Sequence, residues 1–217
     1  MIVFFLLIQL ALAFTKPCII FYTGGSNLMS TTIYNDFLSE LNHIDVYKIP
    51  FQCNKQSDKF IKMLRKEYSS VNLLGHSSGC VRLLNNCNNN IDRVILLDPV
   101  KTPYWDKNKN FNFLKDLLII NAEKSYKWSY IPPFVPFIPF FNIKEIDINI
   151  DKEKCKVLTV HEYGHSDLID KPYRDVMHYS RISVGYKNRN NINKYHRFLS
   201  KIITRFINRP EPKTLDI

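Results

Sequence analysis

Val71-Asn72-Leu73-Leu74-Gly75-His76-Ser77-Ser78-Gly79 decides how the rest of the chain reads. Apolar, strand-forming residues run straight into Gly-x-Ser-x-Gly, and a helical pattern over Ser78 to Asn86 follows. A serine between a buried strand and a helix sits on a sharp turn with a strained backbone. The flanking glycines fit that turn, because a Cβ there would collide with a neighbouring strand or helix. The turn also sets Ser77 at a helix N-terminus, where free N–H groups favour a developing oxyanion. Ser77 is therefore the candidate nucleophile.

Outward from this turn, short apolar runs alternate with helical patterns, which predicts βα units and a parallel sheet. Strands are expected at 18–23, 45–49, 71–74, 93–97, 117–120 and 156–160. Helices are expected at 31–41, at 57–68 with Ser57 as cap, at 78–86, and at 192–207 as an amphipathic closing segment. The closing helix has Tyr195, Phe198, Leu199, Ile202, Ile203 and Phe206 on its apolar side.

Glycine is scarce, with 6 in 217 residues, and five of them are Gly24, Gly25, Gly75, Gly79 and Gly164. The chain thus concentrates backbone freedom beside the candidate chemistry. Gly24-Gly25 follows the first strand, so the oxyanion donors are expected to be the backbone N–H groups of Gly25 and Ser78.

A serine hydroxyl needs a neighbouring base to attack near neutral pH. Of six histidines, His161 and His165 stand in the loop directly after the last strand, where this architecture carries its base. His165 stands on a loop after Gly164, free to turn back to the serine, whereas His161 abuts the strand. A carboxylate must fix the histidine tautomer. Asp98, at the end of the fourth strand, and Glu123, just beyond the fifth, both fit the order Ser…Asp/Glu…His. Asp167 is two residues from His165 and is expected to hold its own loop. His76 is read as structural.

These residues add up to the α/β-hydrolase superfamily, which the chain resembles over residues 17 to 208. Closer similarity is to the chlorophyllase branch, and more distantly to platelet-activating-factor acetylhydrolases. Its carriers are Leu74-Gly75-His76-Ser77-Ser78-Gly79, Leu97-Asp98-Pro99-Val100 and Tyr163-Gly164-His165-Ser166-Asp167. The resemblance implies a mostly parallel sheet of six strands flanked by helices, reduced at the N-terminus. It also implies a serine ester hydrolase with Ser77, Asp98 and His165 as catalytic residues. Ser78-Gly79-Cys80 stands where plant chlorophyllases have Arg-Gly-Gly, so the implied chemistry is ester cleavage and not chlorophyll in particular.

Residues 2–13, Ile-Val-Phe-Phe-Leu-Leu-Ile-Gln-Leu-Ala-Leu-Ala, are apolar, too short for a membrane span, and end in a small-x-small pattern. They are expected to be a signal peptide, with a buried first strand or an uncleaved anchor as the alternatives. This predicts a secreted or endomembrane protein, or a membrane-anchored one if the segment is retained. Two disulfides among the five cysteines would suit that compartment. Residues 124–142 carry four prolines and many aromatic residues, and are expected to form a lid or wall for a hydrophobic ester. Residues 209–217 are a tail. The net charge of +10 permits interfacial binding at a membrane or lipid surface. Nucleic acid is not expected as a partner, because the basic residues of the closing helix read as its solvated face. No metal or organic cofactor is called for. The competing expectation is a catalytically silent hydrolase-fold protein that binds a lipid, a membrane or a protein.

Overall fold

The computed structural model describes residues 16–24, 30–49, 54–101, 105–125, 146–179 and 189–209. The leader, Gly25, Cys53, residues 126–142 of the aromatic segment and residues 210–217 lie outside them. Six strands form one sheet: β1 (Pro17–Tyr22), β2 (Asp45–Lys48), β3 (Ser70–His76), β4 (Arg93–Leu97), β5 (Asp116–Ala122) and β6 (Cys155–Val160). Their order is β2-β1-β3-β4-β5-β6, and every neighbouring pair is parallel. The helices are α1 (Asn35–Ser39), α2 (Asn54–Glu67), α3 (Gly79–Asn86), α4 (Tyr173–Tyr179) and α5 (Arg189–Ile207). A parallel sheet of six strands flanked by helices is the arrangement expected from the sequence.

The central strands are apolar at consecutive positions because both faces are covered. In β1, Cys18, Ile20 and Tyr22 join Ile61 and Leu64 of α2 and Leu83 of α3 in one core. Ile19 and Phe21 turn to the other face, against Phe37 of α1 and Leu199, Ile203 and Phe206 of α5. The period of two residues along a strand produces this division.

Two buried charges lock the end of the sheet away from the serine. Asp92 accepts from Val71 N at 3.0 Å and pairs with Lys115 at 2.9 Å and with Arg65. Arg93 donates to the Ile207 and Arg209 carbonyls at 2.9 Å each, satisfying the open end of α5. These contacts sit at the strand N-termini, so the opposite rim carries the free C-terminal ends.

Several boundaries differ from the sequence reading. The helix expected over 31–41 is a 3-10 turn (Thr31–Tyr34) followed by α1. Three consecutive β-branched residues, Thr31, Thr32 and Ile33, oppose a continuous α-helix there. Ser57 does not cap α2, which begins three residues earlier at Asn54. Phe198 is 44% exposed, because the buried stripe of α5 runs through Ile192, Tyr195, Leu199, Ile203 and Phe206. Helix α4 is not among the helices expected from the sequence. Cys18, Cys80, Cys87 and Cys155 are free thiols, so no disulfide forms among the described cysteines. Among the described residues, no helix is long and apolar enough to cross a membrane.

Candidate active site

Ser77 is the residue after β3 and holds a left-handed backbone, φ 57°. Its N–H donates to Leu97 O at 3.1 Å, and its carbonyl accepts from Cys80 N at 3.1 Å and Val100 N at 3.3 Å. The elbow is thus tied to β4 and to the first turn of α3. Both glycines are tightly packed, and Gly79 has no room for a side chain. A Cβ on Gly75 would lie 3.1 Å from Cys80 Cα, and one on Gly79 would lie 2.7 Å from Tyr22 O and closer still to Thr23 O.

His165 opens the 3-10 turn His165–Leu168 beyond β6. Its Nε2 is 2.8 Å from Ser77 Oγ, and its Nδ1 is in short contact with Asp98 Oδ2. Asp98 is the residue after β4 and is also left-handed, φ 46°. All three side chains are buried. Burial pushes the Asp98 carboxyl up, but the charge and hydrogen bond of His165 and the Ser125 hydroxyl outweigh it, holding the carboxyl below its ordinary value. The ionised carboxylate can only accept, so His165 Nδ1–H donates to it. That leaves the Nε2 lone pair to accept from the Ser77 hydroxyl.

The histidine turn is fixed from several sides. Asp167 Oδ2 accepts from Gly164 N at 2.8 Å, as its expected role in its own loop requires. His196 of α5 donates through Nε2 to Asp167 O at 2.9 Å. His76 Nε2 lies 3.2 Å from His165 O, and its Nδ1 lies 2.9 Å from Tyr34 Oη. Tyr34 Oη in turn accepts from Gly24 N at 3.1 Å. The directions follow from the carbonyl, which only accepts: His76 Nε2–H donates to it, and Nδ1 accepts from the Tyr34 hydroxyl. Burial and the neighbouring His165 push His76 down to about 3, which keeps it neutral. This chain joins the loop after β1, the elbow and the histidine turn.

Gly24 is close-packed against the serine, with a built Cβ only 2.7 Å from Ser77 Cβ. Its N–H is committed to Tyr34. Gly25, the expected oxyanion donor, lies outside the described residues. Ser78 is the N-cap of α3, and its buried Oγ finds no hydrogen-bond partner among the described residues. Glu123 accepts from Glu162 N at 2.9 Å and faces His161 Nδ1 at 3.6 Å. Both ring nitrogens of His165 are already engaged by Ser77 and Asp98. Tyr34, Ser125 and His196 were not singled out from sequence. They come from separate elements, and no local motif marks them.

No family model matches the chain, and no curated protein matches it. Solved structures similar to it include one from work on LipS and LipT, two metagenome-derived lipolytic enzymes. That structure is 9% identical, with a TM-score of 0.42, over 77% of this chain and 93% of the other.

Proposed function

We propose that the chain is a serine hydrolase that cleaves a carboxylic ester through an acyl-enzyme, with Ser77 as nucleophile, His165 as base and Asp98 as acid. The observation that carries this reading is the unbroken contact from Ser77 Oγ through both nitrogens of His165 to Asp98. The left-handed Ser77 backbone adds support, since strain of this kind persists where surrounding structure over-determines it, as at active sites.

In this reading Ser77 Oγ attacks the ester carbonyl while His165 Nε2 takes the hydroxyl proton. Asp98 stabilises the imidazolium. The N–H groups of Gly25 and Ser78 receive the oxyanion. Collapse of the tetrahedral intermediate breaks the ester C–O bond, and His165 returns the proton to the departing alcohol. Water then repeats the sequence on the acyl-enzyme, releasing the acid and restoring Ser77.

For substrate class we propose a hydrophobic, lipid-like ester, in keeping with the resemblance to the chlorophyllase branch. Support comes from the sequence Trp128 to Phe141, apolar and Pro-rich between β5 and the histidine turn. Interfacial binding at a lipid surface and a secreted or endomembrane setting belong to the same proposal. The test is turnover of a series of p-nitrophenyl esters from acetyl to palmitoyl. Long-chain esters should be preferred, and replacing Phe134, Phe137 and Phe140 by Ser should remove that preference. An unchanged chain-length preference would assign the segment to packing alone.

A further inference from the structure

We propose that Ser125 is a positioning residue, its hydroxyl holding the Asp98 carboxylate in place for His165. This rests on the reading of Ser77, His165 and Asp98 as the reacting groups.

Asp98 has two oxygens to anchor. Oδ1 accepts from Ala122 N at 3.2 Å. Oδ2 is shared between the Ser125 hydroxyl, at 2.5 Å, and His165 Nδ1. Ser125 is 1% exposed, so water does not compete for this bond. A hydrogen bond to an ionised carboxylate is roughly twice as strong as one between neutral groups. Without it, Oδ2 would keep His165 as its one side-chain donor, and the carboxylate would be free to pivot about Oδ1.

The segment that carries Ser125 also grips the histidine side. Lys124 N donates to Tyr163 O at 2.9 Å, and Glu123 Oε2 accepts from Glu162 N at 2.9 Å. Residues 122–125 therefore form a bracket between the acid at the end of β4 and the chain leading to His165. Among the described residues, the other titratable groups near Asp98 are His76 from β3, Cys80 from α3 and Tyr195 from α5. Cys80 Sγ is directed to Leu97 O, and His76 is held by Tyr34 and the His165 carbonyl. Ser125 is thus the side-chain hydroxyl that answers Asp98.

The Ser125 hydroxyl helps hold the Asp98 carboxyl below its ordinary value, so removing this donor raises the affinity of the carboxylate for a proton. In Ser125→Ala, kcat should fall about tenfold with KM within about twofold, and the acid limb of the kcat/KM profile should move to higher pH. The nearly isosteric Ser125→Cys, a weaker donor, should fall between wild type and Ala. An independent reading is the downfield imidazole N–H proton of the pair, followed by NMR in wild type and Ser125→Ala. Its position and pH dependence should change in the variant whether or not an ester is turned over. A moved resonance in a protein without esterase activity would retain the positioning role and remove the proposed reaction. An unmoved resonance with an unmoved acid limb would overturn the role of Ser125.

Discussion

Ser77 and Asp98 stand side by side as the first residues beyond two paired strands, and both hold left-handed backbones. The register pairs His76 with Leu97, so the next residue on each strand reaches the rim at the same level. Their φ angles are 57° and 46°. Glu162, beyond β6, is the third non-glycine residue with positive φ among the described residues, at 70°. All three lie where strands leave the sheet around the candidate site. Each such residue stores strain on the order of 1–3 kcal/mol, which the surrounding contacts must hold.

This register bears on which carboxylate serves His165. Glu123 lies just past the end of β5, two residues beyond Asn121, which continues the Asp98 level, and it is committed to Glu162. Asp98→Asn should lower turnover by up to ~10⁴-fold while leaving the fold intact, as an amide in this role favours the wrong tautomer. Glu123→Gln should change turnover little. Both are read from kcat/KM on the same ester, and the opposite ranking would move the acid to Glu123.

Gly79→Ala should destabilise the fold rather than only slow the reaction. The added Cβ would press on the Tyr22 and Thr23 carbonyls, which are backbone atoms and cannot swing aside. Overpacking of this kind costs about 1–3 kcal/mol or more, so thermal or urea unfolding should register a clear loss. A variant as stable as wild type would show that β1 and α3 separate more easily than their packing implies.

Tyr34→Phe removes one oxygen and two hydrogen bonds at once. Gly24 N loses its acceptor and His76 Nδ1 loses its donor, both in buried surroundings. The expected loss of stability is about 1–3 kcal/mol. Turnover should fall as well, because the same chain holds the His165 carbonyl. A drop in melting temperature with unchanged kcat would confine Tyr34 to a packing role.

Acid should destabilise the protein through its buried histidines. His76 falls from an ordinary 6.5 to about 3, and burial also pushes His196 down. Between those limits the unfolded chain binds a proton at His76 that the folded chain refuses, so stability rises with pH. It should therefore decline as pH drops from about 6.5 toward 3. His76→Gln should flatten that decline in urea unfolding measured across the same range. An unchanged slope would assign the acid sensitivity to other groups.

The sheet and the elbow were legible in sequence because their signals are local. Apolar runs ending at Gly24-Gly25, Gly75 and Asp98-Pro99 mark strand exits directly. His165 could be favoured over His161 because Gly164 frees its loop, and in the structure it is His165 that meets Ser77. Ser125 and Tyr34 could not be read that way. Ser125 meets an acid 27 positions earlier, and Tyr34 meets a histidine 42 positions later, across separate βα units. Their roles arise only when the parallel register brings the strand exits to one rim. The start of α2 was misplaced because Ser57 resembles a cap while Asn54 already begins the helix.

The most direct measurement is labelling by a fluorophosphonate, which phosphonylates a serine only when that serine is activated as a nucleophile. Intact mass and peptide mapping should find one adduct, on Ser77. Labelling should vanish in Ser77→Ala and slow by orders of magnitude in His165→Ala. A folded protein that takes no label, or takes it equally after Ser77→Ala, would contradict the proposal that Ser77 is a catalytic nucleophile.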